Sequence, residues 1–255
     1  MGGLMSVTGE PDGEAGGGPM KVGVAIVDIF TGMYATTAVL AALANRERTG
    51  VGQHIDLALL DVQVATLANQ GTNYLVSGRS PNRLGNAHPN IVPYQAFATN
   101  DSHIILAVGN DDQYRRFCAV AGAPELASDE RYATNADRVR NRDSLIPALI
   151  EIFRTRSKSW WIGELERAGV PCGSINSLAE VFADPQVQAR SMCTTVEHSA
   201  AGRIPLVGTP MKFSETPAGA VHPPPLLGEH TAQVLEELLG IEGNSIDVLR
   251  NGGII

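Results

Sequence analysis

The sequence predicts an α/β protein, because helical and extended patterns alternate along its 255 residues. A long apolar run of helical length follows a glycine-rich start, and the alternating residues 53–59 then predict a strand. A stretch rich in turn residues, 77–93, separates this block from a hairpin pattern and several helices. The chain is therefore expected to hold a helix–strand–helix block and a second region of mixed helix and strand.

The first block is dominated by one apolar helix. Residues 21–27 form a short apolar run that predicts a strand or an extended segment. Asp28 follows this run, where its carboxylate is expected to cap a helix over 29–49. Because that helix is apolar on almost every side, we expect it to be buried for most of its length.

A strand and a second helix complete the block. Residues 53–59 alternate between Ile or Leu on one face and His54 and Asp56 on the other, which is typical of a strand. Asp61 can cap a helix that runs to about Val76.

The region after residue 93 begins with a predicted hairpin. Tyr94–Ala98 and His103–Val108 flank a turn at Asn100-Asp101. Further helices are predicted over 111–121, 135–154, 158–168, 178–183 (capped by Ser177) and 228–239. Asp184-Pro185 is expected to open one short helix, and Ser245 to cap a last one. Short strands are predicted at 196, 204–208 and 211–213.

Composition and charge narrow the possible partners. The net charge of −8 would repel a polyanion, so a nucleic-acid partner is not expected. Only 18% of the residues are charged, against roughly 25% in an average soluble protein, so some surface is expected to be buried against another chain. The cysteines Cys118, Cys172 and Cys193 are widely spaced, which argues against a disulfide framework or a zinc site and favours the cytoplasm.

One segment resembles a membrane span in composition. Residues 22–44 are nearly uncharged, but Asp28 inside a span would cost roughly 2.5–3.5 kcal/mol. The segment is also rich in Gly, Ala and Thr rather than in Leu or Ile. A helix of a soluble protein is therefore favoured, and no membrane partner is expected.

Asp28 is the leading candidate for a functional side chain. It is an isolated acid between two apolar runs, and its simplest role is that of a helix cap. A carboxylate held at the start of a helix is also oriented and partly desolvated, which suits a nucleophile. In the loop, Asn86, His88 and Asn90 either point to solvent or converge on a ligand. The sequence has no HExxH motif and no calcium-binding loop, and no metal site is predicted.

A set of short segments in a fixed order carries a family resemblance. They are Val22–Met33, Ala41–Leu43, Arg48–Gln53, Ile55–Asp61, Pro171–Asn176, Asp184–Gln188 and Pro225–Thr231. Together these segments resemble the class III, or CaiB/BaiF-type, CoA-transferases, and Asp28 occupies the position of the family's catalytic aspartate.

The resemblance implies a fold and a reaction. It implies a Rossmann-like large domain, a small α+β domain and interlocked homodimers. In this chain we expect a glycine-rich loop at 1–20, part of the large domain at 21–76, a linker at 77–93, the small α+β domain at 94–185, and a linker with the return to the large domain at 186–255. The resemblance also implies that Asp28 accepts the acyl group of an acyl-CoA and then the CoA, which passes to a small carboxylic acid. CoA would be a substrate, and neither a cofactor nor a metal is needed.

Two departures from the family qualify that expectation. The chain starts shortly before Asp28, so we expect the amino-terminal CoA-binding part to be missing and the chain alone to be an inefficient enzyme. Formyl-CoA transferases have a glycine-rich lid where this chain has Gly85–Asn90. This difference disfavours a role in the exchange of CoA between formate and oxalate, and it favours a dicarboxylate or another CoA donor. Two alternatives stay open, an isomerase like α-methylacyl-CoA racemase and a non-catalytic fragment.

Overall fold

The computed structural model describes residues 1–218 and 222–255, and it contains two compact units, Met1–Ile175 and Asn176–Ile255. The predicted mixture of helix and sheet is confirmed. The domain boundaries predicted from the sequence remain predictions, and residues 219–221 of the predicted segment 186–255 lie outside the described residues.

The first unit combines helices with one small sheet. Its elements are α1 (Leu4–Val7), α2 (Ile26–Thr49), α3 (Leu59–Ala65), α4 (Ala68–Ser77), β1 (Tyr94–Ala98), β2 (His103–Ala107), α5 (Asp111–Val120), α6 (Pro124–Ser128), a 3₁₀ turn (Glu130–Tyr132), α7 (Asn135–Arg140), α8 (Arg142–Phe153), α9 (Lys158–Arg167) and β3 (Cys172–Ser174). The strands pair antiparallel in the order β1-β2-β3, and Phe97 lies opposite Ile104. The predicted hairpin is thereby confirmed.

The core of this unit lies between the sheet and helices α5, α8 and α9. Phe153 is completely buried, and its ring centroid lies 4.5 Å from that of Phe97 and 4.6 Å from that of Trp161. The Trp161 indole donates a 2.9 Å hydrogen bond to the carbonyl of Phe153, so its one polar group is satisfied inside the core.

Helix α2 differs from its prediction both in the residue at which it begins and in its exposure to solvent. It begins at Ile26, with Ala25 as the residue before it, so Asp28 is not the helix cap and residues 21–25 form no strand. None of its residues is buried, so the predicted burial is wrong. An apolar composition shows which residues favour burial. It does not show whether other described residues of the chain pack against them. By length and by its mean hydropathy of 1.6, α2 is the one described helix that could span a membrane.

The strand predicted at 53–59 is also absent. A strand requires a hydrogen-bonded neighbour, and no described segment forms a ladder with these residues. Instead α3 starts at Leu59, with Asp61 in its first turn rather than at the cap. The predicted helix 61–76 is broken where Ala68 adopts a φ of 47°, which separates α3 from α4.

The second unit is organised by local signals that the sequence shows clearly. It contains α10 (Leu178–Ala183), α11 (Pro185–Ala189), the antiparallel pair β4 (Cys193–His198) and β5 (Gly202–Val207), α12 (Thr231–Leu239) and α13 (Gly243–Asn251). Ser177 caps α10 as predicted, in a reciprocal capping box with Glu180. The short helix expected at Asp184-Pro185 is α11, and the side chain of Asp184 caps it. Ser245 lies inside α13 and does not cap it, and 211–213 form no strand.

Candidate active site

A cavity of about 610 Å³ lies at the start of α2, and Asp28 is part of its wall. Residues 1–6, 21–22 and 24–28 supply most of the lining. Pro19, Gln63 of α3 and Arg83 of the loop after α4 complete it. The isolated acid singled out in the sequence therefore borders a space large enough for a small organic molecule.

The carboxylate of Asp28 has no hydrogen-bond or ion-pair partner among the described residues. Asp28 is exposed in the first turn of α2, and no described side chain or backbone N–H hydrogen-bonds to its oxygens. The nearby Thr31 hydroxyl donates instead to the carbonyl of Val27, at 2.7 Å. The unpaired N–H groups at a helix start stabilise a negative charge there. The oxygens of Asp28 therefore remain available for bonding.

One side of the cavity is formed where the backbone of Gly2 packs closely against α3. Gly2 packs directly against the side chain of Gln63, and a methyl group at position 2 would collide with Gln63 Cγ. Gln63 is itself buried, and its amide donates a 3.2 Å hydrogen bond to the hydroxyl of Thr66. The glycine pair at the start of the sequence thereby brings the first residues onto α3.

Arg83 is the site residue that the sequence reasoning missed. Its side chain is only 10% exposed, although it carries a full positive charge. It forms an ion pair with Asp12, and its Nη1 donates a 3.4 Å hydrogen bond to the carbonyl of Ser6, another residue of the cavity wall. Its Nε is buried and has no partner among the described residues. The available signal was an arginine that shares the turn-rich loop of an acidic chain with Arg79.

The loop after Arg83 holds His88 and Asn90 in one local network. The His88 ring stacks on Tyr94 with a centroid distance of 5.3 Å, and its Nδ1 accepts a 3.0 Å hydrogen bond from the backbone N–H of Asn90. The Asn90 side-chain oxygen accepts from the amides of Asn69 and Asn73, at 3.2 and 3.0 Å. Burial and the positive charge of Arg142 lower the pKa of His88 below its usual 6.5, which favours the neutral ring.

This loop network is separate from the wall that contains Asp28. Asn86 is exposed and forms no side-chain hydrogen bond with any described residue. Asn90 borders another cavity of about 340 Å³, together with Arg79 and Arg142. The structure therefore brings His88 and Asn90 together but adds neither to the Asp28 cavity, and the predicted role of Asn86, His88 and Asn90 in substrate binding stays a prediction. Within 1–218 and 222–255, no group of three His, Cys, Asp or Glu residues is placed to hold a metal ion.

Comparison with known proteins connects this chain to one enzyme family. The family description CoA-transferase family III matches residues 1–231. The succinate–glutarate CoA-transferase of Agrobacterium fabrum is 53% identical over 95% of this chain and 60% of its own length. The human succinyl-CoA:glutarate CoA-transferase is 40% identical over 99% of this chain and 57% of its own length. This chain therefore spans somewhat less than two thirds of these relatives.

Solved structures also align with this chain. A CaiB/BaiF family protein from Brucella suis aligns with a TM-score of 0.72 and 47% identity, over 93% of this chain and 61% of that one. A protein from Mycobacterium tuberculosis in an orthorhombic crystal form aligns with a TM-score of 0.73 and 27% identity, over 87% of this chain and 59% of that one.

Proposed function

This chain belongs to CoA-transferase family III, and from that membership we propose that it transfers CoA from an acyl-CoA to a carboxylic acid through Asp28. One observation carries the proposal for Asp28. Its carboxylate is free of partners among the described residues and lines a cavity at the start of α2. A nucleophile needs oxygen lone pairs that no other group occupies, next to a space that admits the substrate.

The proposed reaction exchanges acyl groups without water. An oxygen of Asp28 attacks the thioester carbonyl, the C–S bond breaks, and a mixed anhydride and the CoA thiolate form. The thiolate then attacks the Asp28 acyl carbon, which releases the first acid and leaves an aspartyl-CoA thioester. The incoming carboxylate attacks the carbonyl of this thioester, its C–S bond breaks, and a second mixed anhydride and the CoA thiolate form. The thiolate then attacks the acyl carbon of the incoming acid, which gives the new acyl-CoA and releases the carboxylate of Asp28.

The surroundings of Asp28 suit these intermediates. Anhydrides and thioesters are lost when water attacks them, so a wall that excludes water protects them. Val24, Ile26 and Val27 provide an apolar wall beside the carboxylate.

A dicarboxylate pair is the proposed substrate class. The Agrobacterium and human relatives are named for succinate or succinyl-CoA and for glutarate. We therefore expect succinyl-CoA and glutarate to give glutaryl-CoA and succinate. A homodimer and a cytoplasmic location are part of the same proposal, and both rest on the sequence alone.

The experiment is a hybrid enzyme. This chain replaces the region that it matches in the Agrobacterium relative, and transfer of CoA from succinyl-CoA to isotopically labelled glutarate is followed. Hydroxylamine treatment and mass spectrometry then locate the activated carboxylate. We expect turnover in the hybrid, a hydroxamate on Asp28, and loss of both in Asp28→Asn.

The matched control is Asp61→Asn. Asp61 is also an exposed acid in the first turn of a helix, but it does not line the cavity, so its variant should retain turnover. An Asp28→Asn hybrid that still transfers CoA would remove Asp28 from the reaction. Exchange of the α-proton of an acyl-CoA without CoA transfer would instead support the racemase-like alternative.

A further inference from the structure

Arg83 has more hydrogen-bonding capacity than its surroundings use. A guanidinium carries five N–H donors. In the described residues Arg83 spends one on the carbonyl of Ser6 and one on the carboxylate of Asp12. Its Nε–H is buried without an acceptor. Because a buried unpaired donor is unfavourable, this guanidinium is poised to donate a hydrogen bond to a further oxygen.

The acid partner of Arg83 is easily displaced. The side chain of Asp12 is 81% exposed, whereas that of Arg83 is only 10% exposed. Asp12 lies in a glycine-rich loop at 9–18, and no other described side chain holds its carboxylate. A carboxylate that arrives through the cavity can therefore take the place of Asp12 with little loss of other contacts.

The stem of Arg83 is fixed by packing, which keeps the guanidinium beside the cavity. A methyl group on Gly9 would lie 3.3 Å from Arg83 Cδ, so the glycine backbone presses closely on this side chain. The hydrogen bond to Ser6 then holds the charged end next to a residue of the cavity wall. The other cation of that wall, Lys21, is exposed and has no ion-pair partner in the described chain.

We propose that Arg83 binds the remote carboxylate of a dicarboxylic acid substrate, replacing Asp12 as its anionic partner, and so determines the specificity of the Asp28 site for dicarboxylates. The inference rests on the proposed function, because it assumes that the cavity beside Asp28 admits the acid. A planar guanidinium matches a carboxylate through two parallel hydrogen bonds, which a lysine cannot reproduce. A monocarboxylate of the same chain length would lack this contact and leave Arg83 paired with Asp12.

The test measures binding of glutarate and of pentanoate to the 255-residue chain by isothermal titration. Pentanoate has the same carbon chain and only one carboxylate. We expect Arg83→Gln to weaken glutarate binding by about tenfold to a hundredfold and to leave pentanoate binding unchanged. Arg83→Lys should recover only part of the loss. A wild-type chain that does not prefer glutarate, or an Arg83→Gln chain that still prefers it, would overturn the inference.

A second variant keeps the test valid if Arg83→Gln disturbs folding. Asp12→Asn changes only an exposed loop side chain and removes the competing anion, so it should tighten glutarate binding severalfold. Unchanged affinity in Asp12→Asn would also count against the inference. Arg79→Gln, at an exposed arginine outside this cavity, is the matched control and should bind as the wild type does.

The two proposals fail in different ways. If the Asp28→Asn hybrid loses CoA transfer while Arg83→Gln keeps the preference for glutarate, the proposed function stands and the role of Arg83 is wrong. If Arg83 controls glutarate binding while Asp28 is never acylated, the role of Arg83 stands and the proposed reaction is wrong.

Discussion

The side chain of Arg138 is completely buried, yet it donates a 2.8 Å hydrogen bond to Asp111, whose side chain is 41% exposed. Its Nε donates to the carbonyl of Val92 at 2.7 Å, and its guanidinium lies 4.3 Å from the ring centroid of Tyr114. One buried charge thus connects the end of the loop 78–93 to the core of the first unit.

Replacing Arg138 should strongly destabilise this unit. Arg138→Met keeps much of the volume but leaves the carbonyl of Val92 without its donor and Asp111 without its cation. We expect the free energy of unfolding to fall by about 3–5 kcal/mol. Urea unfolding followed by tryptophan fluorescence reports this unit, because Trp160 and Trp161 both lie in α9. Arg140→Met, at an arginine that is 68% exposed, should cost under about 1 kcal/mol, and an equal loss would contradict the argument.

Gly9 should tolerate substitution less well than another glycine of the same loop. Its φ is +122°, and a methyl group there would collide with the carbonyl oxygen of Gly18. Gly16 also has a positive φ, but a methyl group there meets nothing within 4 Å. Gly9→Ala should therefore lower local stability by about 1–3 kcal/mol and speed amide hydrogen exchange over 6–20, while Gly16→Ala has the smaller effect. Similar exchange in the two variants would show that the close contact is unimportant.

The stability of the chain should depend on pH through His88. Its pKa lies below 6.5 in the folded chain because burial and Arg142 disfavour the charged ring, so the unfolded chain takes up the proton more readily. The contribution of His88 to the free energy of unfolding is fully present above about pH 6.5 and is lost as the pH falls through the pKa of His88 in the folded chain. Urea unfolding between about pH 7 and pH 5 should show a steeper decline in wild type than in His88→Gln. His54→Gln, in an exposed segment, is the control, and equal slopes in wild type and His88→Gln would refute the prediction.

The cysteines should differ sharply in reactivity. Burial raises the pKa of Cys118 to about 11 and also raises the pKa of Cys172, so both remain largely protonated near neutral pH. Cys193 is exposed. Alkylation at about pH 8, mapped by mass spectrometry, should label Cys193 first, Cys172 slowly, and Cys118 only after unfolding. Fast labelling of Cys118 in the native chain would show that it is not held as described.

Some features set by neighbours in the sequence were predicted correctly, although the caps expected at Asp28, Asp61 and Ser245 were wrong. The hairpin follows from a turn between two β-rich runs, and the Ser177 and Asp184 caps need only residues within three positions of each cap. Features that depend on distant neighbours were not predicted. The periodicity of 53–59 is that of a strand, but it does not identify a pairing partner, and none is present among the described residues.

The same distinction explains the candidate site. Asp28 stands out because a lone acid between apolar runs is visible in the sequence, although its position inside α2 rather than at the cap is not. Arg83 is buried through contacts with Ser6, 77 positions away, and with Gly9. No local pattern encodes the burial of an arginine that packs against a distant glycine.

The bare apolar surface of α2 determines how any molecule that covers it will be held. Such a contact would be hydrophobic, because Ile29, Phe30, Met33 and Leu40 are exposed and charged side chains are confined to the two ends of the helix. Hydrophobic contacts weaken on cooling and strengthen in sulfate, whereas moderate concentrations of simple salts chiefly screen charges. Chilling, rather than added sodium chloride, is therefore the condition that would release a molecule bound along α2.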